Sequence, residues 1–325
     1  MRLLVTGGGG FIGSNLVRTA LRHPGLTQVR VLDDFSTGYE ENLHGVPVEL
    51  HRGSVCDPDA LARSLKGIDG VVHLAAIPSV PRSLVDPRRS YEVNVSGTVE
   101  VLEACRTADV GHVVVASSSS VYGANPAEYK NERGWVRPLS PYAAGKLAAE
   151  QMALAYQESF GLGVSAFRFF NVYGPRQPAG HTYSAVVPVF VDALLRGTPV
   201  PVHGDGAQTR DFTFVDSVCR VLVESAVTAK ACAEPVNLAF GTRTSIAELV
   251  SLLEEVTGRS ARIDWQPPRS ADVRASRADS GLLHELYPAA EPVALRDGLR
   301  STAEWFATRP STSHSLDSWS GVSGP

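Results

Sequence analysis

A short apolar run, residues 3–5, leads directly into Gly7-Gly8-Gly9-Gly10-Phe11-Ile12-Gly13, and no other stretch restricts the possible folds as much. The run suits a buried strand. The glycines give backbone without Cβ atoms, able to turn sharply and to lie close against a ligand. Residues 14–21 read as the first helix, with Ile12, Leu16, Val17 and Leu21 on one stripe. A strand, a glycine-rich turn and a helix N-terminus together make an anion site, where free N–H groups and the positive end of the helix dipole face a pyrophosphate. The spacing is Gly7-x-x-Gly10-x-x-Gly13, unlike the G-x-G-x-x-G of ordinary dinucleotide dehydrogenases. Alone, such a stretch is equally a tight turn; an acidic residue about 20 positions further on decides between the two. Residues 28–32 read as the second strand, closed by Asp33-Asp34. A carboxylate there can accept hydrogen bonds from both adenosine ribose hydroxyls and repels a 2′-phosphate. No arginine follows Asp33 within the next turn, so the residues point to NAD(H) rather than NADP(H).

The first half goes on alternating. A third strand is predicted at 46–50 and a helix at 57–65, with Asp57 as N-cap and Pro58 in the first helical position. A fourth strand at 70–74 runs into His73-Leu74-Ala75-Ala76. A long helix is predicted over 86–108, with Tyr91, Val95, Val99 and Leu102 at helical spacing. A fifth strand at 113–116 ends in Ser117 to Ser120, followed by a helix at 140–160 and a sixth strand at 164–169. Continuous apolar strands separated by helices predict a Rossmann-type, doubly wound parallel α/β sheet, with ligands at the carboxyl ends of its strands. Gly7 to Gly13, Asp33, Leu74 to Ala76, Ser117 to Ser120 and Asn171 all fall at such ends. After Asn171 prolines and glycines cluster and the elements shorten, with helices predicted at 184–196, 215–228, 245–257 and 294–308 and strands at 199–203, 235–238 and 262–265. The expected division is a dinucleotide-binding domain over 1–171, a smaller C-terminal α/β substrate lobe over 172–309 and a mobile tail at 310–325, with some later elements returning to the first sheet.

Composition narrows the partners. The 325 residues are 43% apolar and 20% charged, with a net charge of −4 and no basic block, which argues against nucleic acid. Cys56, Cys105, Cys219 and Cys232 show neither a C-x-x-C pair nor staple-like spacing and read as free thiols of a reducing cytosol. The first strand begins where a leader would, and no apolar run approaches the roughly 20 residues that span a bilayer. A cytoplasmic protein without a membrane partner is expected.

The sharpest chemical signal is Tyr142-Ala143-Ala144-Gly145-Lys146, downstream of the serine run. Near a helix start, residues four apart share one face. A phenol loses its proton near pH ~10. An ammonium one turn away and a positive nicotinamide ring would favour the phenolate, giving a general base near neutral pH. A hydroxyl of the serine run could hold the substrate oxygen. On its own the pair is equally a surface Tyr and Lys on an amphipathic helix.

Together these stretches resemble the extended short-chain dehydrogenase/reductases, the NAD-dependent epimerase/dehydratase group that acts on nucleotide sugars. The resemblance covers about residues 1–308. It rests on Val5-Thr6-Gly7 to Gly13, His73 to Ala76, Tyr91-Glu92-Val93-Asn94, Ser117 to Gly123, Ser140-Pro141-Tyr142 to Lys146, Arg168 to Pro175, Gly204-Asp205-Gly206 to Phe212, and Asp272-Val273-Arg274. It implies Tyr142 as catalytic base, Lys146 as the ribose-binding partner that lowers its pKa, and Ser118 as the hydroxyl partner. It implies a tightly bound NAD lined by Gly7, Gly10, Phe11, Ile12, Gly13, Asp33, Asp34, Ser54, Val55, Leu74, Ala75, Ala76, Asn94, Ser117 and Phe169. The nucleotide sugar would meet Ser79, Arg82, Ser118, Ser119, Asn171, Val187, Arg210, Arg269, Asp272, Arg274 and Ser276. No metal is implied. One departure is Gly53-Ser54, where relatives often have Gly-Asp at the adenine.

The subfamily turns on the residues after Ser118. Similar 4,6-dehydratases have Thr-Asp-Glu, and similar decarboxylases keep a Glu; Ser119 and Ser120 offer neither a strong acid nor a strong base. The resemblance therefore implies a UDP-sugar 4-epimerase, with a dehydratase or decarboxylase as the enzymatic alternative and a non-catalytic NAD-binding regulator as the alternative of another class. The small Ser276 implies room for a substituted sugar such as UDP-glucuronate or a UDP-N-acetylhexosamine, and Arg82 or Arg176 could pair with a uronate carboxylate. Relatives pair into dimers through a four-helix bundle, which would use 86–108 and 140–160 here.

Overall fold

The computed structural model describes residues 1–179, 184–268 and 275–309. Its centre is a parallel sheet of seven strands: β1 (Arg2–Thr6), β2 (Gln28–Asp33), β3 (Glu49–Arg52), β4 (Gly70–His73), β5 (His112–Ser118), β6 (Gly163–Phe169) and β7 (Val236–Leu238). They lie in the order β7-β6-β5-β4-β1-β2-β3. The order reverses between β1 and β4, which opens a crevice beyond their carboxyl ends. Leu3, Leu4 and Val5 are fully buried, as a strand covered on both faces requires.

Helices cover both faces of the sheet and build a second lobe: α1 (Phe11–Ala20), α2 (Pro58–Leu65), α3 (Val80–Val85), α4 (Pro87–Tyr91), α5 (Gly97–Thr107), α6 (Pro141–Phe160), α7 (Val186–Arg196), α8 (Val215–Thr228), α9 (Ile246–Thr257), α10 (Gly281–Leu286) and α11 (Leu295–Ala307). On one face Leu16 and Val17 of α1 and Val218 and Leu222 of α8 share a core with Leu3, Val5 and Val72. On the other, Leu61 of α2, Leu102 of α5 and Ala153 of α6 pack with Leu4, Val71 and Val113. A third core joins α7, α9 and α11 over a two-stranded parallel sheet, Val200–His203 beside Ile263–Gln266. The chain thus builds a second lobe but returns to the first through α8 and β7, which lies beside β6 with Asn237 opposite Arg168. Asp57 caps α2 as the sequence predicts, accepting from the backbone N–H groups of Asp59 and Ala60. Cys56, Cys105, Cys219 and Cys232 are free thiols. Among the described residues no helix is long and apolar enough to cross a membrane.

Two elements differ most from the sequence reading, while α1 starts three residues earlier than expected and α10 has no counterpart in it. The third strand is Glu49–Arg52 rather than 46–50. Val46 and Val48 spend their N–H groups locally, on Leu43 O and Val46 O, while their side chains pack against the core, so pairing with β2 begins only at Glu49 opposite Arg30. The long helix over 86–108 is α4 and α5 joined by a π-helical turn, Glu92–Ser96, with α3 ahead of it. Such turns insert an extra residue into an otherwise regular helix, which apolar spacing does not reveal. The turn places Asn94 inward, where its side chain accepts from Ile77 N at 2.8 Å and donates to Ile77 O at 3.1 Å.

Candidate active site

The first intrahelical bond of α1 is Ser14 N donating to Gly10 O, so the N–H groups of Phe11, Ile12 and Gly13 have no partner within the helix. The helix has no side-chain cap and no acidic residue in its first turn, which leaves its positive end to an anion. Close backbone packing holds this cradle. A Cβ on Gly13 would lie 2.1 Å from Gly7 O, and one on Gly7, whose φ is +72°, would lie 2.6 Å from Ala75 N. A Cβ on Gly10 would meet only Gly7 O, at 3.2 Å. Gly13→Ala should therefore cost about 1–3 kcal/mol of stability, and Gly10→Ala much less. Thermal unfolding of the two variants side by side checks this, and equal losses would contradict it.

Asp33 ends β2 beneath the cradle. Its Oδ2 accepts from Gly9 N at 2.7 Å and its Oδ1 from Phe35 N at 2.8 Å. Burial raises its pKa, while these two N–H groups pull the other way. Each carboxylate oxygen retains acceptor capacity, and Asp33 and Asp34 line a cleft of about 700 Å³. The opposite wall comes from the end of β4. There Thr98 Oγ1 donates to Asn94 O, and its lone pairs face His73 Nε2, which fixes the proton on that nitrogen. His73 Nδ1 then accepts from Thr6 Oγ1, which in turn accepts from Ala75 N. Burial pushes His73 down to about 3, so the chain of hydrogen bonds holds a neutral imidazole under Leu74, Ala75 and Ala76.

The end of β5 supplies Ser117, Ser118, Ser119 and Ser120, and the first turns of α6 supply Tyr142 and Lys146; all six line the same cleft. Ser140 caps α6, its Oγ accepting from Ala143 N, with Pro141 in the first turn. Lys146 donates through Nζ to Ala116 O at 2.9 Å, keeps two further donors, and is pushed down to about 8 by burial. Tyr142 departs from the expected electrostatics. Its ring is half-buried, yet protein surrounding its hydroxyl raises the phenol pKa, and a hydrogen bond with Ser118 opposes the rise. The Lys146 ammonium is directed at Ala116 O.

Behind the serines lies a buried ion pair. Arg168 Nε and Nη2 donate to the two oxygens of Glu150 at 2.9 and 2.7 Å, and Ser117 Oγ donates to Glu150 Oε2 at 2.6 Å. Glu150 is fully buried. The Arg168 guanidinium lies 4.8 Å from the centre of the Tyr122 ring, and Tyr122 OH donates to Asn237 Oδ1 of β7 at 2.7 Å.

Most residues singled out in the sequence meet at the cleft: Gly7, Gly10, Phe11, Ile12, Gly13, Asp33, Asp34, Val55, Leu74, Ala75, Ala76, Ser79, Arg82, Ser117, Ser118, Ser119, Tyr142, Lys146, Phe169, Asn171 and also Arg176. Ser79 has φ +95° and Asn171 φ +34°, strained conformations of the kind that gather at functional sites. The buried Ser79 hydroxyl has no hydrogen-bond partner among the described residues. Others stand elsewhere. Ser54 turns its hydroxyl to Cys56 N, leaving Gly53 and Val55 to face the cleft. Asn94 sits behind the wall, bonded to Ile77. Val187 belongs to the apolar stripe of α7 and is buried in the third core. Arg210 and Ser276 are paired neighbours on adjoining strands outside the cleft lining. Arg269, Asp272 and Arg274 lie outside the described residues. The sequence reading missed Ser36, Thr37, Gly38 and Tyr39, which close the cleft beyond Asp33; a hydroxyl-rich Ser-Thr-Gly directly after the acidic pair was the available signal.

Fold and cleft define a dinucleotide-dependent α/β enzyme with a Ser–Tyr–Lys constellation. Residues 3–239 match the profile of the NAD dependent epimerase/dehydratase family. The UDP-glucose 4-epimerase of Mycolicibacterium smegmatis is 40% identical over 316 residues, 95% of this chain and 99% of that protein. A dTDP-glucose 4,6-dehydratase of Streptomyces griseus is 36% identical over 312 residues, 94% of this chain and 93% of its own. The crystal structure of the Thermotoga maritima UDP-glucose 4-epimerase with UDP-glucose matches with a TM-score of 0.88 at 34% identity, covering 94% of this chain and 99% of that one. The chain belongs to the NAD dependent epimerase/dehydratase family, and the uncapped, Cβ-free cradle with Asp33 beneath it fits NAD.

Proposed function

We propose that the chain is a UDP-sugar 4-epimerase that inverts C4 through a transient 4-keto sugar. When bound, NAD supplies a hydride acceptor that can return the hydride within the same turnover. Tyr142 takes the proton of the sugar 4-hydroxyl and gives it back, Ser118 holds that oxygen and shares its proton, and Lys146 orients the ribose with the donors that Ala116 O leaves free. The keto sugar turns within the cleft between the two steps. One observation carries this reading: among the described lining residues the only carboxylates are Asp33 and Asp34, at the β2 end. The β5 end has Ser118, Ser119 and Ser120, so loss of water across C5 and C6 has no acid–base pair there, although dehydratases stand among the relatives. Incubation with UDP-glucose, UDP-N-acetylglucosamine and UDP-glucuronate tests it. A product inverted at C4 is expected; a product altered at C6, or no inversion with any of them, would reject the reading.

A substituted sugar is supported by Arg82, a cation that lines the cleft. A homodimer is supported by the outer face of α3, α4 and α6. Leu84, Val85 and Tyr91 are 65%, 69% and 61% exposed, beside the small residues Ala144, Ala148 and Ala155 of α6. Light scattering should give twice the chain mass, and a monomer at micromolar concentration would rule this out.

A further inference from the structure

We propose that Arg176 is a pyrophosphate-binding residue for the dinucleotide and does not read a charged group on the sugar. Arg176 lines the cleft on the segment after β6, where a uronate carboxylate would be one possible partner. Its contacts place it at the other end. Nη1 donates to Asn15 Oδ1 at 3.1 Å, and Asn15 Nδ2 donates to Phe11 O and to Pro175 O, each at 2.9 Å. The guanidinium is thereby tied to the first turns of α1, beside the N–H groups of Phe11, Ile12 and Gly13 that have no partner within the helix. Its backbone has φ +71°, a conformation that costs a non-glycine residue of order 1–3 kcal/mol. A glycine would adopt it freely, so the strained position serves to aim this side chain.

Charge supports the assignment. No carboxylate among the described residues lies within ion-pair distance of Arg176. Burial first, then the like charges of Arg18 and Arg309, push it down to about 10. Arg18 spends a donor on Ser14 O of its own helix, and Arg309 is paired with Glu41. Arg176 is thus a half-buried cation that no acid among the described residues neutralises, set where the helix dipole also favours an anion. A pyrophosphate meets both demands, whereas a sugar carboxylate bound near Tyr142 would lie at the β5 end.

The inference rests on the family's cofactor and not on the choice of sugar, so its test is read without any sugar turning over. The full chain carrying Arg176→Met or Arg176→Lys is titrated with adenosine, ADP, NAD and UDP, with circular dichroism melting to follow the fold. Arg176→Met should weaken ADP and NAD on the order of 10- to 100-fold, leave adenosine and UDP unchanged, and lower the NAD retained through purification. Arg176→Lys should recover part of the ADP affinity, because a point charge replaces the planar fork. Should the methionine variant fail to fold, the lysine variant decides: ADP binding weakened against unchanged adenosine supports the assignment. Unchanged ADP and NAD affinity, an equal loss for adenosine, or a loss confined to UDP or to the KM for UDP-glucuronate overturns it.

Discussion

Tyr142→Phe should lower kcat for C4 inversion on the order of 10²- to 10⁴-fold, the usual contribution of a positioned general base, while NAD binding and melting temperature stay close to the parent. The substitution removes one oxygen from a half-buried ring at the cleft floor and no packing atom. The pH profile adds a second constraint. Burial raises the Tyr142 phenol and Ser118 opposes that rise, so the phenolate fraction and the rate should climb with pH. Without Ser118 the rise is unopposed, and Ser118→Ala should shift the rising limb to higher pH as well as lower the plateau. Lys146, pushed down to about 8, carries its charge below that pH and loses it above. Its support should therefore fade on the alkaline side. Steady-state rates from pH 6 to 10 (roughly, bracketing the ordinary phenol value) check both limbs. A Tyr142→Phe variant with more than about a tenth of the parent rate would show that the proton is handled elsewhere.

The second large effect concerns stability. Glu150→Ala should cost about 3–5 kcal/mol, because it strands the Arg168 guanidinium in a dry interior. Removing both charges, as Glu150→Met with Arg168→Met, should restore most of that loss, since a buried pair replaced by apolar residues of similar volume is often neutral or better. Urea midpoints for the two single variants and the double variant measure this. Activity should not recover with stability: Ser117 still lacks its acceptor, and the β5 end that carries Ser118 is left without its brace. A single-variant loss below about 1 kcal/mol, typical of an exposed pair, would mean that water reaches the site.

The sequence disclosed what depends on local pattern. The glycine cradle, the Asp57 cap and the span of α8 follow from residues close together in the chain, and the structure keeps them. The pairing of Tyr142 with Lys146 was visible for the same reason, since a separation of four places them on one helix face. What depends on partners far along the chain was hidden. Nothing near Glu150 announces Arg168, and nothing near Asn15 announces Arg176, 161 positions away. The π-helical turn at Asn94 hides inside correct apolar spacing. The displaced third strand has another cause: Val46 and Val48 look like strand residues, but their N–H groups are already engaged in turns. Ser54 was read by analogy with an aspartate, and its shorter side chain bonds to its own loop.

The return of the chain to its first sheet bears on how the molecule can be made. The edge of β6 receives its neighbour only from Val236–Leu238, and α8, which covers β4 and β5, comes just before. A nascent polypeptide that has left the ribosome only as far as Asn171 would present a bare strand edge and an uncovered apolar face, both invitations to misassociate. Synthesis must therefore run through most of the second lobe before the nucleotide-binding half can close, so the two halves are expected to acquire protease resistance together.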